Sequence, residues 1–549
     1  MNIFFQQLSS KRCLGILLFF WAFTIIFSWW FIPPKVDDGI YLVPSLSVLN
    51  NYIPGVLIGE SVQPIFFIFP TQPFLHGIFL KLLELLHFDI NIDTYRLFNY
   101  LLVFSLFYLT NKLFSEVFNN VYYQRIALNL TLILLGVSQF SLHFYVNRPE
   151  ILGLVLFMLG LINFIKFIKI PTNKKLSIFL AFIYFGVSSI VHPNLLFLSF
   201  IIFVYSVYYL INTSNLPYLK YSFSFLIPVF SFLIWCFINI DAAKDQLLNR
   251  TSEVSANTYL NMPAVKNVFS TIIGDVNQSI VHNLYLQLHM LSFLLTLVFL
   301  SYFIFKKISV NNKTPEVTKF FKILSISLFI LIFIMAPYRP YFLLTSFLSI
   351  ILLVLFLISH SSYSIDNAPN QVRNNKIGLL SYVYLIAFLL PLSLPVFHLM
   401  KNYISNGNYD NHHKTIEMLS PYLDEKKHIF LTTGQLLPLF TDKINKDFQN
   451  IEKLKQERVH WYFPIADKPG VYFKDLMKKD IENDYMLMQG AIWGALKKTT
   501  SSNSNITCLS LKGSSDYINL HNPKILFQDR QNIFILSNEV IALDHCQTK

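Results

Sequence analysis

The chain has 549 residues, of which 54% are hydrophobic and only 13% are charged. A soluble globular protein usually carries about 25% charged residues, so this composition indicates an integral membrane protein. The formal net charge is +12. The first 400 residues hold 24 basic against 14 acidic side chains, so most of the positive excess lies in the apolar part of the chain. We therefore attribute this excess to orientation in the membrane and not to nucleic-acid binding.

Apolar runs of about 20 residues predict about eleven transmembrane helices. They lie near residues 13–32, 96–114, 125–142, 150–168, 176–192, 194–211, 222–240, 284–305, 320–336, 341–359 and 379–399. The first run follows Lys11-Arg12, exceeds a typical signal-peptide core in length and has no small-x-small cleavage site after it. We therefore expect a retained anchor, and one transmembrane domain over residues 1–400.

The distribution of charge predicts the orientation of these spans. With the N-terminus in the cytoplasm, cytoplasmic segments carry 16 basic and 3 acidic residues, and external segments of the membrane half carry 8 basic and 11 acidic ones. Basic residues accumulate on the cytoplasmic side of membrane proteins, so this orientation is favoured. We also favour a bacterial inner membrane, because the chain shows no endoplasmic-reticulum retrieval tail.

We predict that residues 33–95 form one long external loop with one or two helices in the membrane interface. The stretch 72–88 is apolar enough to be a span, but His76, Lys81 and Glu84 interrupt it. Its apolar positions recur at helical spacing, as in Leu75, Phe79, Leu82 and Leu86. Counting this stretch as a span would invert every later loop and place the lysine clusters outside, so we predict a helix lying in the interface.

Residues 401–549 are polar and predict a small external α/β domain. His428–Leu431 and Asn532–Leu536 are typical of short strands, and the prediction for Asp475–Met488 is a helix. Cys508 and Cys546 lie in this region, where a disulfide bond between them and two unpaired thiols are equally compatible with the sequence.

Four polar clusters are predicted to lie on the external side, each at the end of a span. They are Asp37-Asp38, Asn147-Arg148-Pro149-Glu150, His192-Pro193-Asn194 and Tyr338-Arg339-Pro340-Tyr341. Each cluster alone has a structural explanation, because acids before glycine are common in loops and proline ends helices. Their shared side and their mixture of acids and cations favour a functional site.

That mixture suits glycosyl transfer from a lipid phosphate. The acceptor hydroxyl needs a carboxylate base, and the departing phosphate needs cations to stabilise its charge. The lipid tail needs an apolar groove, which phenylalanine-rich helices can provide. Attack opposite the leaving group inverts the anomeric carbon and needs one base, whereas a retaining route needs a second carboxylate as nucleophile.

In layout, residues 10–400 resemble the GT-C superfamily of membrane glycosyltransferases. The resemblance rests on a first span followed by a long external loop that opens with Asp37-Asp38, and on the Arg148-Pro149-Glu150 turn between spans three and four. Members include protein mannosyltransferases and lipid A aminoarabinose transferases. The resemblance implies a polyprenyl-phosphate sugar donor, an external active site, an inverting mechanism and a glycan, lipid or protein acceptor.

The same resemblance implies roles for individual residues. Asp37 or Asp38 would be the catalytic base, and Arg148, His192 or Arg339 would contact the donor phosphate or sugar. Glu150 would bind acceptor or sugar hydroxyls, or hold Arg148. The sequence identifies no cofactor, but Asp37, Asp38 and Glu150 could together hold a divalent metal such as Mg²⁺ or Mn²⁺, because hard cations prefer several carboxylates.

Two other functions are compatible with a polytopic membrane protein. A flippase for lipid-linked oligosaccharides would show ionisable or helix-breaking residues near mid-membrane, and often two similar halves. A polysaccharide polymerase or ligase would centre on a large loop late in the chain. The polar groups here cluster at one face, and the longest predicted loop follows the first span, so both functions are alternatives to the transferase.

Overall fold

The computed structural model shows a mostly helical protein. It describes residues 8–31, 36–58, 61–66, 68–136, 140, 144–169, 174–213, 215–244, 315–334 and 342–366, together with one helix and eight strands between residues 428 and 541. Arg339 and the predicted spans at 284–305 and 379–399 lie outside the described residues, as does Cys546.

The chain divides into two compact units. The first unit combines Met1–Ser28 with Asn99–Asn402, and the second unit combines Trp29–Phe98 with Tyr403–Lys549. Residues that follow the first predicted span therefore share a unit with the C-terminal part of the chain. The predicted boundary after residue 400 lies close to the division at Asn402, but the independence of residues 401–549 as a domain stays a prediction.

In the part of the chain that the structure describes, nine long helices follow the predicted spans. They are α1 (Lys11–Phe31), α4 (Ile92–Val117), α5 (Val121–Gly136), α6 (Pro149–Lys169), α7 (Lys174–Ser189), α8 (Pro193–Ile211), α9 (Phe223–Ile238), α10 (Pro315–Ile334) and α11 (Phe342–Asp366). A 3₁₀ helix, Leu216–Ser222, leads into α9. Among the described residues, four helices are long and apolar enough to cross a membrane, namely Ile92–Val117, Pro149–Lys169, Pro193–Ile211 and Leu216–Ile238.

Aromatic side chains and small residues hold the helices of the first unit together. The Trp21 ring meets Phe107 edge-on with centroids 4.9 Å apart, and its Nε1 donates to the Leu132 carbonyl at 3.1 Å. Gly186 of α7 faces α9 so closely that an added Cβ would overlap the carbonyl oxygen of Phe225. Because that neighbour is backbone, no rotamer change could relieve the overlap.

The part of the second unit after the first predicted span is more structured than a loop with interfacial helices. Helix α2 (Val36–Asn51) leads to an antiparallel hairpin of β1 (Gly55–Ile58) and β2 (Ser61–Pro64), which precedes helix α3 (Thr71–Leu85). The helix predicted within residues 72–88 is thus present as α3. Its exposed side is apolar, with Phe74, Ile78, Leu82 and Leu85, as a helix in the membrane interface requires.

Strands dominate the described C-terminal part of the second unit. They are β3 (His428–Leu431), β4 (Met486–Ala491), β5 (Lys497–Thr500), β6 (Ile506–Ser510), β7 (Tyr517–His521), β8 (Lys524–Gln528), β9 (Asn532–Ser537) and β10 (Glu539–Ile541). One sheet has the order β3-β4-β9-β8, with β3 and β4 parallel, and the other has the order β10-β7-β6-β5. Helix α12 (Thr441–Gln449) packs on α2, where Asn50 Nδ2 donates to Asn445 Oδ1 at 2.9 Å.

The predicted strands at 428–431 and 532–536 are present, but the end of the predicted helix Asp475–Met488 is wrong. Met486, Leu487 and Met488 lie in β4, while residues 475–485 lie outside the described residues. Strand β4 has hydrogen-bonded neighbours on both edges, β3 and β9. Pairing with two distant strands decides the conformation of this apolar stretch, which local periodicity alone could not do.

We expect Gly186→Ala to lower the free energy of unfolding by about 1–3 kcal/mol, because the new methyl group forces α7 away from α9. The matched control is Gly15→Ala in α1, where an added Cβ meets nothing within 4 Å. Thermal unfolding of both variants in detergent checks this. Equal stability of the two variants would contradict the close contact between α7 and α9.

Candidate functional site

The turn before α6 brings Arg148 and Glu150 together in the first unit. Helix α6 begins at Pro149, a residue that suits the first helical position because the missing N–H would have no helical partner there. Glu150 lies in the first turn, where the positive end of the helix dipole favours a carboxylate. Arg148 Nη2 lies 3.0 Å from Glu150 Oε1, and both side chains are buried.

His192 joins this pair from the turn before α8. Its Nδ1 accepts a hydrogen bond from the backbone N–H of Asn194 at 3.3 Å, which caps the helix. Because Nδ1 accepts, the neutral ring carries its proton on Nε2. That Nε2 lies 3.7 Å from Glu150 Oε1, the same oxygen that Arg148 approaches. We name Arg148, Glu150 and His192 the buried triad.

Gly153 allows the two turns of the buried triad to approach each other. An added Cβ on Gly153 would overlap Leu195 Cδ1 and lie 3.4 Å from Val191 Cγ1. Val191 and Leu195 flank His192, so a side chain at position 153 would force the Leu195 side chain to move from its place next to the histidine turn. Ser188 Oγ also donates to the Gly153 carbonyl at 3.2 Å, which ties the end of α7 to α6.

The chemistry available to the buried triad is anion binding by a fixed guanidinium. A guanidinium has five donors in a planar fork, so one that pairs with a carboxylate can also contact a phosphate. The carboxylate of Glu150 offsets the cost of burying Arg148 and restricts its orientation. Of the two roles expected for Glu150, this geometry supports holding Arg148.

The second unit contains another buried acid and guanidinium. Asp38 of α2 is completely buried, and its Oδ2 lies 3.9 Å from Arg96 Nη2 near the start of α4. Arg96 Nη1 also donates to the Trp29 carbonyl at 3.2 Å, and the Tyr95 hydroxyl donates to the backbone carbonyl of Asp38 at 2.6 Å. The side chain of Asp37 lies outside the described residues.

His76 of α3 is a structural neighbour of this second cluster. Its ring stacks between Tyr95 and Phe98, with centroids 4.6 and 4.5 Å away, and its Nε2 lies 2.9 Å from the Tyr95 carbonyl. Burial lowers the pKa of His76 to about 3, with the hydrogen bond to the Tyr95 carbonyl opposing that shift. The ring is therefore neutral near pH 7 and donates its Nε2 proton to the carbonyl.

Sequence reasoning missed Arg96 and Tyr95. Arg96 begins a run that is otherwise almost entirely apolar, and an ionisable residue at the start of a span is a signal that could have found it. Its partner Asp38 precedes it by 58 positions, and no local pattern pairs residues so far apart. In the sequence, His76 stands out only as an interruption of the apolar stretch 72–88.

Asp38 and Glu150, the two described acids of the expected metal site, each lie beside an arginine. No group of three or more His, Cys, Asp or Glu side chains is placed to hold a metal ion in the part of the chain that the structure describes. Glu150 has a guanidinium at 3.0 Å, and Asp38 has one at 3.9 Å. A divalent cation at either carboxylate would be repelled by an arginine that is already in place.

Comparison with solved structures reveals the fold. The chain is similar to ArnT from Cupriavidus metallidurans, in a structure bound to undecaprenyl phosphate, with a TM-score of 0.53 over 96% of this chain and 98% of that chain. The chain therefore has the fold of ArnT, which is the GT-C fold expected from the sequence. At 10% sequence identity the likeness shows the fold and not the activity.

Other solved structures match with TM-scores below 0.5 and do not contribute to the fold assignment. The oligosaccharyltransferase of Archaeoglobus fulgidus matches over 88% of this chain and 70% of that chain at 12% identity, with a TM-score of 0.43 in its apo form. The same enzyme tethered to an acceptor peptide gives a TM-score of 0.45. The fold assignment therefore rests on the ArnT comparison. No protein-family model and no curated protein sequence matches the chain.

We expect Arg148→Met to lower the free energy of unfolding by about 3–5 kcal/mol, because it leaves the buried carboxylate of Glu150 without its guanidinium. Adding Glu150→Gln should restore most of that loss, since no buried charge then remains unpaired. Thermal unfolding of the single and double variants in detergent measures both effects.

The control for these variants is Lys81→Met. It breaks the partly exposed ion pair between Lys81 Nζ and Glu84 Oε2, which are 2.7 Å apart. It should cost less than about 1 kcal/mol. A double variant no more stable than Arg148→Met alone would contradict the proposed coupling between Arg148 and Glu150.

His76 should make stability depend on pH. Its folded-state pKa of about 3 lies below the ordinary 6.5, so the unfolded chain binds a proton first as the pH falls. Stability from this residue is complete above pH 6.5 and is lost toward pH 3, by up to about 1.4 kcal/mol per pH unit.

Unfolding measured between pH 7 and pH 4.5 tests this dependence. His76→Gln should show a shallower loss of stability on acidification than the unaltered protein. The control is His87→Asn, because His87 is exposed and asparagine tolerates its left-handed backbone with φ of 62°. Identical pH profiles for the unaltered protein and His76→Gln would show that the histidine does not titrate in this way.

Proposed function

We propose that this protein is a membrane glycosyltransferase that transfers a sugar from a polyprenyl-phosphate donor to an acceptor on the external face. The observation that carries the proposal is the GT-C fold over 96% of the chain, since the similar ArnT structure holds undecaprenyl phosphate. The buried triad supports it, because a fixed guanidinium at the end of a span suits a lipid phosphate.

The proposed reaction is a single inverting displacement. Asp37 or Asp38 accepts the proton of the acceptor hydroxyl, and the oxygen forms a bond to the anomeric carbon of the sugar. The bond from that carbon to the phosphate oxygen breaks on the opposite side, and its electron pair leaves with the polyprenyl phosphate. One carboxylate base is enough for this route, and no step requires a metal ion.

Arg148 is the proposed partner of the donor phosphate. A charged guanidinium stabilises the negative charge that develops on the departing phosphate, and Glu150 restricts its position. His192 has its Nε2 proton directed at Glu150, so its proposed role is to support the triad and to contact sugar or phosphate when the donor binds. Arg339 is proposed as a further donor contact from the sequence alone.

The proposed location is the bacterial inner membrane, with the N-terminus in the cytoplasm and residues 401–549 outside. The acceptor is a glycan, a lipid or a protein, and the surrounding membrane lipid supplies the environment for the donor tail. The described residues add no observation that favours the flippase or the polymerase and ligase functions, so we propose the transferase alone.

The direct test is transfer in proteoliposomes that contain a panel of undecaprenyl-phosphate sugars. A transferase converts the donor to undecaprenyl phosphate, whereas a flippase moves the intact donor to the other leaflet. Release of undecaprenyl phosphate with an acceptor present would support the proposal. Translocation of intact donor without its cleavage would overturn it.

We expect Asp37→Asn or Asp38→Asn, whichever removes the catalytic base, to reduce turnover by about 10²–10⁴-fold. This is the usual contribution of general base catalysis. Asp93→Asn serves as the control, since it removes an acid from the first turn of α4. Full activity of both Asp37→Asn and Asp38→Asn would sink the carboxylate-base mechanism.

A second variant separates catalysis from structure at Asp38. Asp38→Asn leaves Arg96 buried beside a neutral amide, so it should also destabilise the second unit. Combining Asp38→Asn with Arg96→Gln removes both charges and should recover stability. If Asp38 is the base, activity stays lost in the stable double variant, and if Asp38 only balances Arg96, activity returns.

A further inference from the structure

A cluster of lysines lies at the end of α6 opposite the buried triad. Lys112 and Glu116 belong to the last turns of α4, and Lys166 and Lys169 belong to the last turn of α6. All four lie in the first unit. Three cationic side chains therefore gather around one carboxylate where two apolar helices end.

Lys169 has a structural explanation. Its Nζ donates to the backbone carbonyl of Glu116, one of the last carbonyls of α4, which lack a partner within their own helix. The positive charge also suits the negative ends of both helix dipoles. We therefore leave Lys169 out of any binding function.

Lys112 and Lys166 make weaker contacts with Glu116 than Lys169 does. Lys112 Nζ lies 3.8 Å and Lys166 Nζ lies 3.9 Å from Glu116 Oε1, distances beyond a hydrogen bond. Their side chains are 43% and 30% exposed, whereas that of Glu116 is 14% exposed. Because both ammonium groups approach one oxygen, a single phosphate group could contact both, and one carboxylate does not neutralise two lysines.

The surface of α4 that leads to Lys112 is apolar and exposed. Leu101, Phe104 and Tyr108 are 45%, 45% and 67% exposed, and they precede Lys112 at helical spacing on the same face. Helix α4 is long and apolar enough to cross a membrane. An exposed apolar stripe on such a helix faces acyl chains, and it ends at two ammonium groups.

We propose that Lys112 and Lys166 bind the anionic headgroup of a phospholipid whose acyl chain lies along Leu101, Phe104 and Tyr108. Lysines at the end of a membrane span reach the headgroup region, where anionic lipids attract them. A soluble anion would use the charges but not the stripe, so the combination favours a lipid. This site is separate from the donor site and does not depend on the proposed activity.

Native mass spectrometry of the full-length protein tests the site after release from nanodiscs that contain equal amounts of phosphatidylglycerol and phosphatidylcholine. The unaltered protein should retain phosphatidylglycerol preferentially. Lys112→Gln combined with Lys166→Gln should weaken that retention by about thirtyfold, since each lysine near an anionic surface contributes about five- to sixfold.

The control removes the same charge elsewhere, with Lys81→Gln combined with Lys446→Gln. Lys81 pairs with Glu84, and Lys446 pairs with Asp442, so neither lysine belongs to the cluster. The control should retain phosphatidylglycerol as the unaltered protein does. Equal retention by the cluster variant and the control would overturn the proposal.

Glu116→Gln gives a test in the opposite direction. It removes the carboxylate that competes with the lipid for Lys112 and Lys166, so retention of phosphatidylglycerol should increase. If the lysines only form structural ion pairs with Glu116, retention will stay unchanged or fall, and the proposal fails. This variant keeps both lysines and the shape of residue 116, so it remains informative if the double lysine variant does not fold.

Inorganic phosphate separates a lipid site from a phosphate site. Phosphate at millimolar concentration should leave the retained phosphatidylglycerol in place, because it lacks an acyl chain to contact the stripe on α4. Displacement of phosphatidylglycerol by phosphate alone would overturn the assignment to a lipid.

Discussion

Burial of charge is the constraint on which both candidate clusters depend. Arg148 and Glu150 in the first unit, and Asp38 and Arg96 in the second, are acids and guanidiniums that water hardly reaches. An isolated buried charge costs several kcal/mol, so each partner is tolerated only with the other in place. The first of these pairs lies at the start of a helix that begins at Pro149, and His192 reaches it from the cap of another helix.

Close approach of helices is what allows these charges to meet. Gly153 admits the Leu195 side chain against α6, next to the turn that carries His192. In the second unit, Gly77 plays a comparable part, since an added Cβ would lie 2.5 Å from Val48 Cβ on α2. Glycines, which take no part in the proposed chemistry, thus allow the close packing of the helices that carry the acids.

The two ends of α6 differ in their chemistry. The first turn holds a carboxylate between a guanidinium and an imidazole, and the last turn holds two lysines. Both arrangements agree with the helix dipole, which favours acids at the start of a helix and cations at its end. The donor site proposed at the start of α6 and the lipid site proposed at its end use these two ends separately.

Local composition and the periodicity of apolar residues determined the positions of most described helices and of two strands. The apolar runs predicted nine described helices, and the sequence placed Arg148, Glu150 and His192 at helix starts, because proline and capping residues mark those positions. The strands at 428–431 and 532–536 were also predicted. These features depend on neighbours within a few residues, which a sequence displays directly.

Tertiary structure alone decided which residues meet. Asp38 lies beside Arg96, His192 beside Glu150, and His76 between Tyr95 and Phe98. It also made Met486–Ala491 a strand and joined residues 29–98 to 403–549 in one unit. These contacts join residues from 19 to several hundred positions apart, and they follow from how helices and strands pack, which periodicity along the chain does not specify.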